Sequence, residues 1–302
     1  MLRETVSSTL KKGFLMLDFL HSASGLNHPE IASVLDEVSL WSARFGLFLL
    51  SHLQFRPNLN ILDLACGTGF PLFELAQMYG PSCQVTGIDS WKEAIERAKL
   101  KLDTYRFSNV RLVEGDATHL PFQNGEFDLI VSNLGVNNFT DPQAVFAECF
   151  RVAKPNGSIV LTTNIIGHMS EFYTVFRATL VELQKPAYLE RLQENEAHRG
   201  TKESICTLLQ GAGFRIINVA EESFQLRYLS GSALFNHTLT QLGFLDGWRH
   251  VVDPDEEEDV FELLENKLNE IASIRDELCM TVPMLYLEGK KSDKQEFHHQ
   301  NA

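Results

Sequence analysis

The sequence predicts an α/β protein: a mostly parallel sheet of seven strands with a helical cap. Three observations point there. From Asn60 onward, short apolar runs alternate with segments of helical spacing, the rhythm of strand–helix crossovers. The runs are almost continuously apolar, as in strands covered on both faces. Three stretches, 1–59, 165–200 and 229–280, lie outside that rhythm and together read as a cap over the strand ends.

Each element has its own reason. The strands are "NILDLA" (60–65), "QVTGID" (84–89), "VRLVEG" (110–115), "FDLIVSN" (127–133) and "SIVLTT" (158–163), followed by "RIINVAEESFQL" (215–226) and "TVPMLYLEG" (281–289). Between them, 71–79, 91–105, 142–153 and 201–214 carry helical spacing. Pro71 and Pro142 suit a first helical turn, and Asp141 suits a cap. "KPNG" (154–157) reads as a turn. In the first part, 36–53 is the strongest helix. Residues 253–278 predict a long amphipathic helix capped by Asp253, with Val260, Leu264, Leu268, Ile271, Ile274 and Leu278 on one face and an acidic run at its positive end.

The domain reading follows. Residues 1–59 form an N-terminal helical segment and 60–228 the α/β core, with a helical insertion at 165–200. A cap insertion spans 229–280, a final core strand 281–289 and a loose polar tail 290–302.

Composition limits the partners. A formal net charge of -14 argues against a nucleic-acid surface, which needs a basic stripe. No apolar run reaches the length of a membrane span. The basic, apolar start around Lys11, Lys12 and "GFLMLDFL" resembles a leader only loosely. Asp18 interrupts it, and Leu10, Phe14, Leu17 and Leu20 keep amphipathic helical spacing. The five cysteines show neither disulfide-like nor zinc-like spacing. The expected location is the cytoplasm, with no metal; the oligomeric state stays open.

The chemistry gathers at strand ends. Asp63 and the glycines Gly67 and Gly69 leave the first strand where open α/β sheets bind ligands. Asp89 ends the second strand and can accept from both hydroxyls of a ribose. Trp91 or Ile88 can flank an adenine face, and Asp116 can accept from its exocyclic amine. A nicotinamide dinucleotide would require a third glycine where Leu72 stands, which disfavours an NAD-dependent oxidoreductase.

These residues resemble the class I S-adenosylmethionine-dependent methyltransferases, Rossmann-like proteins, in the small-molecule branch that includes quinone-biosynthesis C-methyltransferases. "LDLACGTG", "TGIDSW", "GDATHLPF", "FDLIVSNLGVNNF" and "RVAKPNGSIVLTT" are similar to the family's successive motifs, and the last two strands to its antiparallel hairpin. The resemblance implies S-adenosyl-L-methionine as cofactor. It would be held by Asp63, Ala65, Gly67, Gly69, Asp89, Ser90, Asp116, Ala117 and Asn133, with Trp41 covering it. The methionine part would lie along Ala65–Gly69, with Asp63 orienting that loop or meeting the amino group. The chain departs from the family pattern at Ala65, at Asn156, and at Asn137 and Asn138, where many relatives have a histidine.

The implied reaction is methyl transfer to a small organic acceptor. Such a displacement needs alignment more than a fixed catalytic motif, so the catalytic residues stay unknown. Asn137, Asn138 and His168 are weak candidates, with Trp248, Arg249 and His250 in the cap. A non-catalytic cofactor-binding module stays open as an alternative.

Overall fold

The structure is a computed structural model and describes residues 18–21 and 39–292. The readings made over Leu10–Leu17 and over the tail from 293 lie outside the described residues. So do the first three residues of the helix read over 36–53.

Seven strands form one sheet: β1 (Asn60–Leu64), β2 (Gln84–Asp89), β3 (Val110–Glu114), β4 (Phe127–Asn133), β5 (Ala153–Asn164), β6 (Phe214–Tyr228) and β7 (Leu278–Lys291). Their order is β3-β2-β1-β4-β5-β7-β6. β1 pairs in parallel with β2 and β4, β2 with β3, and β4 with β5, whereas β7 runs antiparallel to β5 from Ser158↔Lys290 to Asn164↔Met284. The chain turns outward in opposite directions from β1, toward β2 on one side and β4 on the other. The carboxyl ends of β1 and β4 are therefore the switch point where a crevice opens.

The crossovers are helical as expected: α1 (Ser39–His52) precedes the sheet, and α2 (Leu72–Tyr79), α3 (Lys92–Tyr105) and α4 (Pro142–Val152) connect its strands. Asp141 caps α4 by accepting from the Ala144 amide. Next come α5 (Ser170–Glu182), α6 (Pro186–Ala197) and α7 (Lys202–Gly211), the last closed by a Thr201–Ser204 capping box. Residues 229–254 hold three short helices, α8 (Gly231–Phe235), α9 (Thr238–Gly243) and α10 (Leu245–Arg249), before the long α11 (Glu257–Arg275).

The described residues fall into two compact units. The sheet unit takes in 39–165, 200–222 and 284–292; the helical unit takes in 18–21, 166–199 and 223–283. In the sheet unit, Leu62, Ile130, Phe146, Ile159, Phe214 and Leu285 belong to one continuous core. The helical unit has its own core: Phe172 stacks on Trp248 at 3.9 Å between centroids and Phe19 on Phe235 at 4.5 Å.

Several expectations need correction. α1 packs on β4 and β5 within the sheet unit, so this part of 1–59 does not belong with the helical segments. "KPNG" lies inside β5: Phe127 pairs with Ala153 but Leu129 with Ser158, and the excess is taken up at Asn156, whose φ is 60°. α11 begins at Glu257, not at Asp253, because Asp253 is engaged by the Tyr188 hydroxyl and Arg191. It ends when Asp276 turns left-handed (φ 64°), which leaves Ile274 exposed and puts Leu278 in β7. β7 also continues to Lys291, past the expected start of the tail.

Candidate functional site

β1 delivers Asp63 to the switch point, and the chain then turns through Ala65–Phe70. Ala65, Gly67 and Gly69 all have left-handed φ, at 60°, 52° and 105°. The two glycines serve different ends. A Cβ on Gly69 would stand 2.2 Å from the Phe73 ring, so glycine there permits α2 to pack. A Cβ on Gly67 would meet nothing within 4 Å, so the backbone there faces open space that a ligand can approach. Behind the turn, a Cβ on Gly46 would fall 2.3 Å from the Phe70 ring, which brings α1 against it.

The turn is tied to β2. The Cys66 amide donates to the Ile88 carbonyl (3.1 Å). Asp89 accepts from the Gly67 amide through Oδ2 and from the Trp91 amide through Oδ1, both at 2.8 Å. The expected ribose acid thus also holds the glycine turn, and each oxygen keeps a second lone pair. From α3, Lys101 Nζ donates to the Thr68 carbonyl at 2.9 Å. Sequence reasoning missed Lys101; its only signal there is a place on a neighbouring helix.

Two carboxyls, Asp63 buried and Asp89 half-buried, make this end of the sheet a cation-favouring place. Asp63 is fully buried, and neither of its carboxylate oxygens has a hydrogen-bond partner. Burial first, then the Asp89 charge, push its carboxyl well above the usual range, and the Leu72 amide at the start of α2, close by but outside hydrogen-bond geometry, pulls the other way. Burial also raises Asp89, against the Trp91 and Gly67 amides. Burial and both carboxyls raise the Cys66 thiol, so it is no nucleophile. A ligand with a cationic centre relieves this arrangement, whereas an anionic one worsens it. The two carboxyls and the open face of Gly67 therefore fit S-adenosylmethionine.

The remaining expected residues separate into lining and scaffold. Ser90 and Asp116 are exposed beside the site. The Thr118 amide donates to Asp116 Oδ1 (2.8 Å), and this bonding lowers the Asp116 carboxyl. Ala117 packs against the sheet core. Asn133 is buried and its amide is engaged: Oδ1 accepts from the Thr162 hydroxyl (2.9 Å) and Nδ2 donates to the Ser42 carbonyl (3.2 Å). It ties α1 to β4. Trp41, half-buried, lies on the same helix with its ring 5.2 Å from Phe45.

Of the catalytic candidates, Asn137 donates to Asn164 Oδ1 at 2.7 Å, while Asn138 is exposed. Asn164, buried at the carboxyl end of β5 with its own Nδ2 unpartnered, was missed in the sequence because it looked like the end of an apolar strand. His168 belongs to the helical unit, with its ring 5.4 Å from Phe244 and 5.7 Å from Tyr173. Burial, then the Arg199 charge, bring its imidazole down to about 3, which makes it a poor proton acceptor. Trp248 is core, its Nε1 donating to the Tyr173 hydroxyl (3.2 Å); Arg249 pairs with Glu257; and His250 is exposed against the Asp246 carbonyl.

Comparison with known proteins follows the same lines. A family model described as a methyltransferase domain matches residues 55–222. A demethylmenaquinone methyltransferase of Lactococcus lactis is 42% identical over 103 residues, 34% of this chain and 41% of that protein. Its counterpart in a Geobacillus species is 31% identical over 184 residues, 58% of this chain and 79% of that protein. The chain thus spans under half of the first relative and about four-fifths of the second. Among solved structures, a SAM dependent methyltransferase from Aquifex aeolicus superposes with a TM-score of 0.51 at 20% identity, over 64% of this chain and 92% of that one.

Proposed function

The chain belongs to the methyltransferase domain family and is an S-adenosylmethionine-dependent methyltransferase; from that premise we propose that it methylates a small organic acceptor by in-line displacement. The observation that carries the cofactor assignment is Asp89, which bridges the Gly67 and Trp91 amides beside the open face of the turn. The cofactor supplies a methyl group activated on a sulfonium.

The chain's own residues bind and orient. Asp89 accepts from the ribose hydroxyls, and Asp116 from the adenine amine. The Ala65–Gly69 backbone carries the methionine part, while Asp63 and Asp89 supply negative charge beside it. No strong base stands among the candidates, since His168 is too weakly basic and Asn137 is held by Asn164. The acceptor therefore brings its own nucleophilic centre, and alignment provides the rate. Phe235, Phe244, Leu245 and Trp248 are buried in the core of the helical unit.

Both sequence relatives are named for demethylmenaquinone, which makes that compound the first acceptor to try. The test is transfer of a methyl label from the cofactor to a panel of small acceptors, demethylmenaquinone among them, followed by mass spectrometry. Binding of the cofactor with no transfer to any member would favour the non-catalytic alternative.

A further inference from the structure

Asn164 ends β5 on the face of the sheet that α1 covers. Side chains alternate along a strand, so Asn164 shares its face with Thr162, whose hydroxyl donates to Asn133 Oδ1 at 2.9 Å. Asn133 in turn donates to the Ser42 carbonyl of α1 at 3.2 Å, so both prongs of its amide are used. Asn164 differs. It is only 2% exposed, its Oδ1 accepts from Asn137 Nδ2 at 2.7 Å, and its own Nδ2 is buried with no hydrogen-bond partner. Buried amides are nearly always paired, because a donor withdrawn from water and left unbonded is costly.

Geometry fixes which way this amide faces. Asn137 Nδ2 also lies 3.3 Å from the Asn164 backbone carbonyl, which only accepts, so the facing prong of Asn137 is its nitrogen. The Asn164 prong that meets it is then the oxygen, and Nδ2 is the prong turned away. Leu134 brings the two asparagines together. It is left-handed at φ 66°, its amide donates to the Thr162 carbonyl at 2.8 Å, and the chain turns there into the short 3₁₀ segment Gly135–Asn138. The same segment touches the glycine turn: a Cβ on Gly135 would stand 3.1 Å from the Ala65 Cβ. Asp63 aligns with Val131, and Val131 with Val160, so Asn164 lies about 13 Å further along the strand direction. That is the rim beyond the methionine part of the cofactor, on the side from which an acceptor approaches. The pair reaches the surface through Asn137, half-exposed, and Asn138, exposed. All of these residues belong to the sheet unit.

We propose that Asn164 Nδ2 is the donor that holds an oxygen of the methyl acceptor, a phenol or enol oxygen in its ionised form, and that Asn137 is the positioning residue that aims it. Assigning the oxygen to the acceptor rests on the methyl-transfer reading above. An amide nitrogen only donates, so the site takes an oxygen with lone pairs and rejects a group that can only donate. The acceptor class narrows to phenols, enols and quinols, against alkylamines, which are ammonium ions at neutral pH. A donor aimed at the oxygen in a place withdrawn from water favours the oxyanion over the neutral hydroxyl. The acceptor then gives up its proton more readily, in keeping with the lack of a strong base.

The test uses the full chain saturated with S-adenosylhomocysteine, so that no methyl group is transferred. The probes are para-nitrophenol, whose yellow phenolate reports its own ionisation, and para-nitroaniline, which carries an amine in place of the hydroxyl. Calorimetry gives the affinities, and absorbance against pH gives the ionisation of the bound phenol. Wild type is expected to bind the phenol about tenfold or more tighter than the aniline, the scale of a hydrogen bond to a charged group. It is also expected to move the phenol's ionisation down by about one pH unit, a tenfold change in the proton equilibrium. Asn164→Asp keeps the oxygen that Asn137 needs but puts a second oxygen where the donor was. It is expected to lose the tenfold preference and to move the ionisation upward instead. Asn164→Ala should lose affinity without moving the ionisation, and Asn137→Ala should lose part of both effects; a purely structural role for the pair would leave the ionisation untouched. Equal affinities of the two probes for wild type, or a phenol that ionises at the same pH on wild type and Asn164→Asp, mean that the amide bonds water alone and overturn the site. Absence of phenol binding to cofactor-loaded wild type overturns it too. The methyl-transfer reading is judged separately, by titration of S-adenosylmethionine and by the labelled acceptor panel. Failure of the cofactor to bind wild type removes that reading, and the phenol titration repeated on the free chain still decides the oxygen site.

Discussion

Asp63 and Asp89 occupy neighbouring strand ends, yet the protein uses them differently. Asp89 grips two backbone amides, and Asp63 grips none. Asp89→Ala therefore removes both the proposed ribose acceptor and the tie on Gly67. Calorimetry should show S-adenosylmethionine weakened by about 1.5–3 kcal/mol, the range for a hydrogen bond to a charged group; unchanged affinity would defeat the ribose assignment. For Asp63 the sign of the pH effect is fixed by burial. Its folded carboxyl titrates well above the unfolded range, so its contribution to stability is fully present below about pH 4 and is lost as pH rises toward the folded value. Asp63→Asn has no such loss. Its melting temperature without cofactor should exceed that of wild type at neutral pH, and the gap should close on acidification. Ala65 carries a different burden, a side chain at φ 60°. Ala65→Gly should stabilise the protein by about 0.5–1 kcal/mol in denaturant titrations, after the entropy cost of glycine offsets part of the relieved strain.

At the scale of elements, the glycine turn is held from three sides. β2 contributes Asp89, α1 lies against Phe70, and α3 reaches back with Lys101. The Lys101 contact braces the turn at Thr68 without being part of its ligand-facing side. Lys101→Met should weaken cofactor binding by about 1 kcal/mol, discounted from a full charged hydrogen bond because the lysine is only half-buried. Lys101→Arg should recover much of it, and circular dichroism should be unchanged in both. A Lys101→Met protein with wild-type cofactor affinity would show that β2 alone holds the turn.

At the scale of the molecule, the two units have separate cores of different character: aliphatic strands under helices in one, and stacked aromatic rings in the other. Phe172 lies in the aromatic core with no exposure and touches Trp248, Phe235, Tyr173 and Phe176. Phe172→Ala should cost about 3–5 kcal/mol in chemical denaturation. If its effect stayed below about 1 kcal/mol, the usual surface range, the aromatic stack would not be a true core.

What the sequence by itself determined is what local pattern encodes. Apolar runs and helical spacing named all seven strands and their crossovers, because periodicity depends only on neighbours along the chain. The strand-end acids and the paired glycines pointed to the candidate cofactor site, because a sheet presents strand ends in a predictable place. Tertiary structure alone decided how side chains are used. Asn133 reads as a ligand and ties two elements together; His168 reads as a base and is buried to near-inertness; Asp253 reads as a cap and serves Tyr188 and Arg191. Lys101 gave no more signal than a place on a neighbouring helix, and Asn164 read as the end of an apolar strand. Whether a polar group is paired, buried or left wanting a partner depends on residues distant in sequence, and that is settled only when the chain has folded.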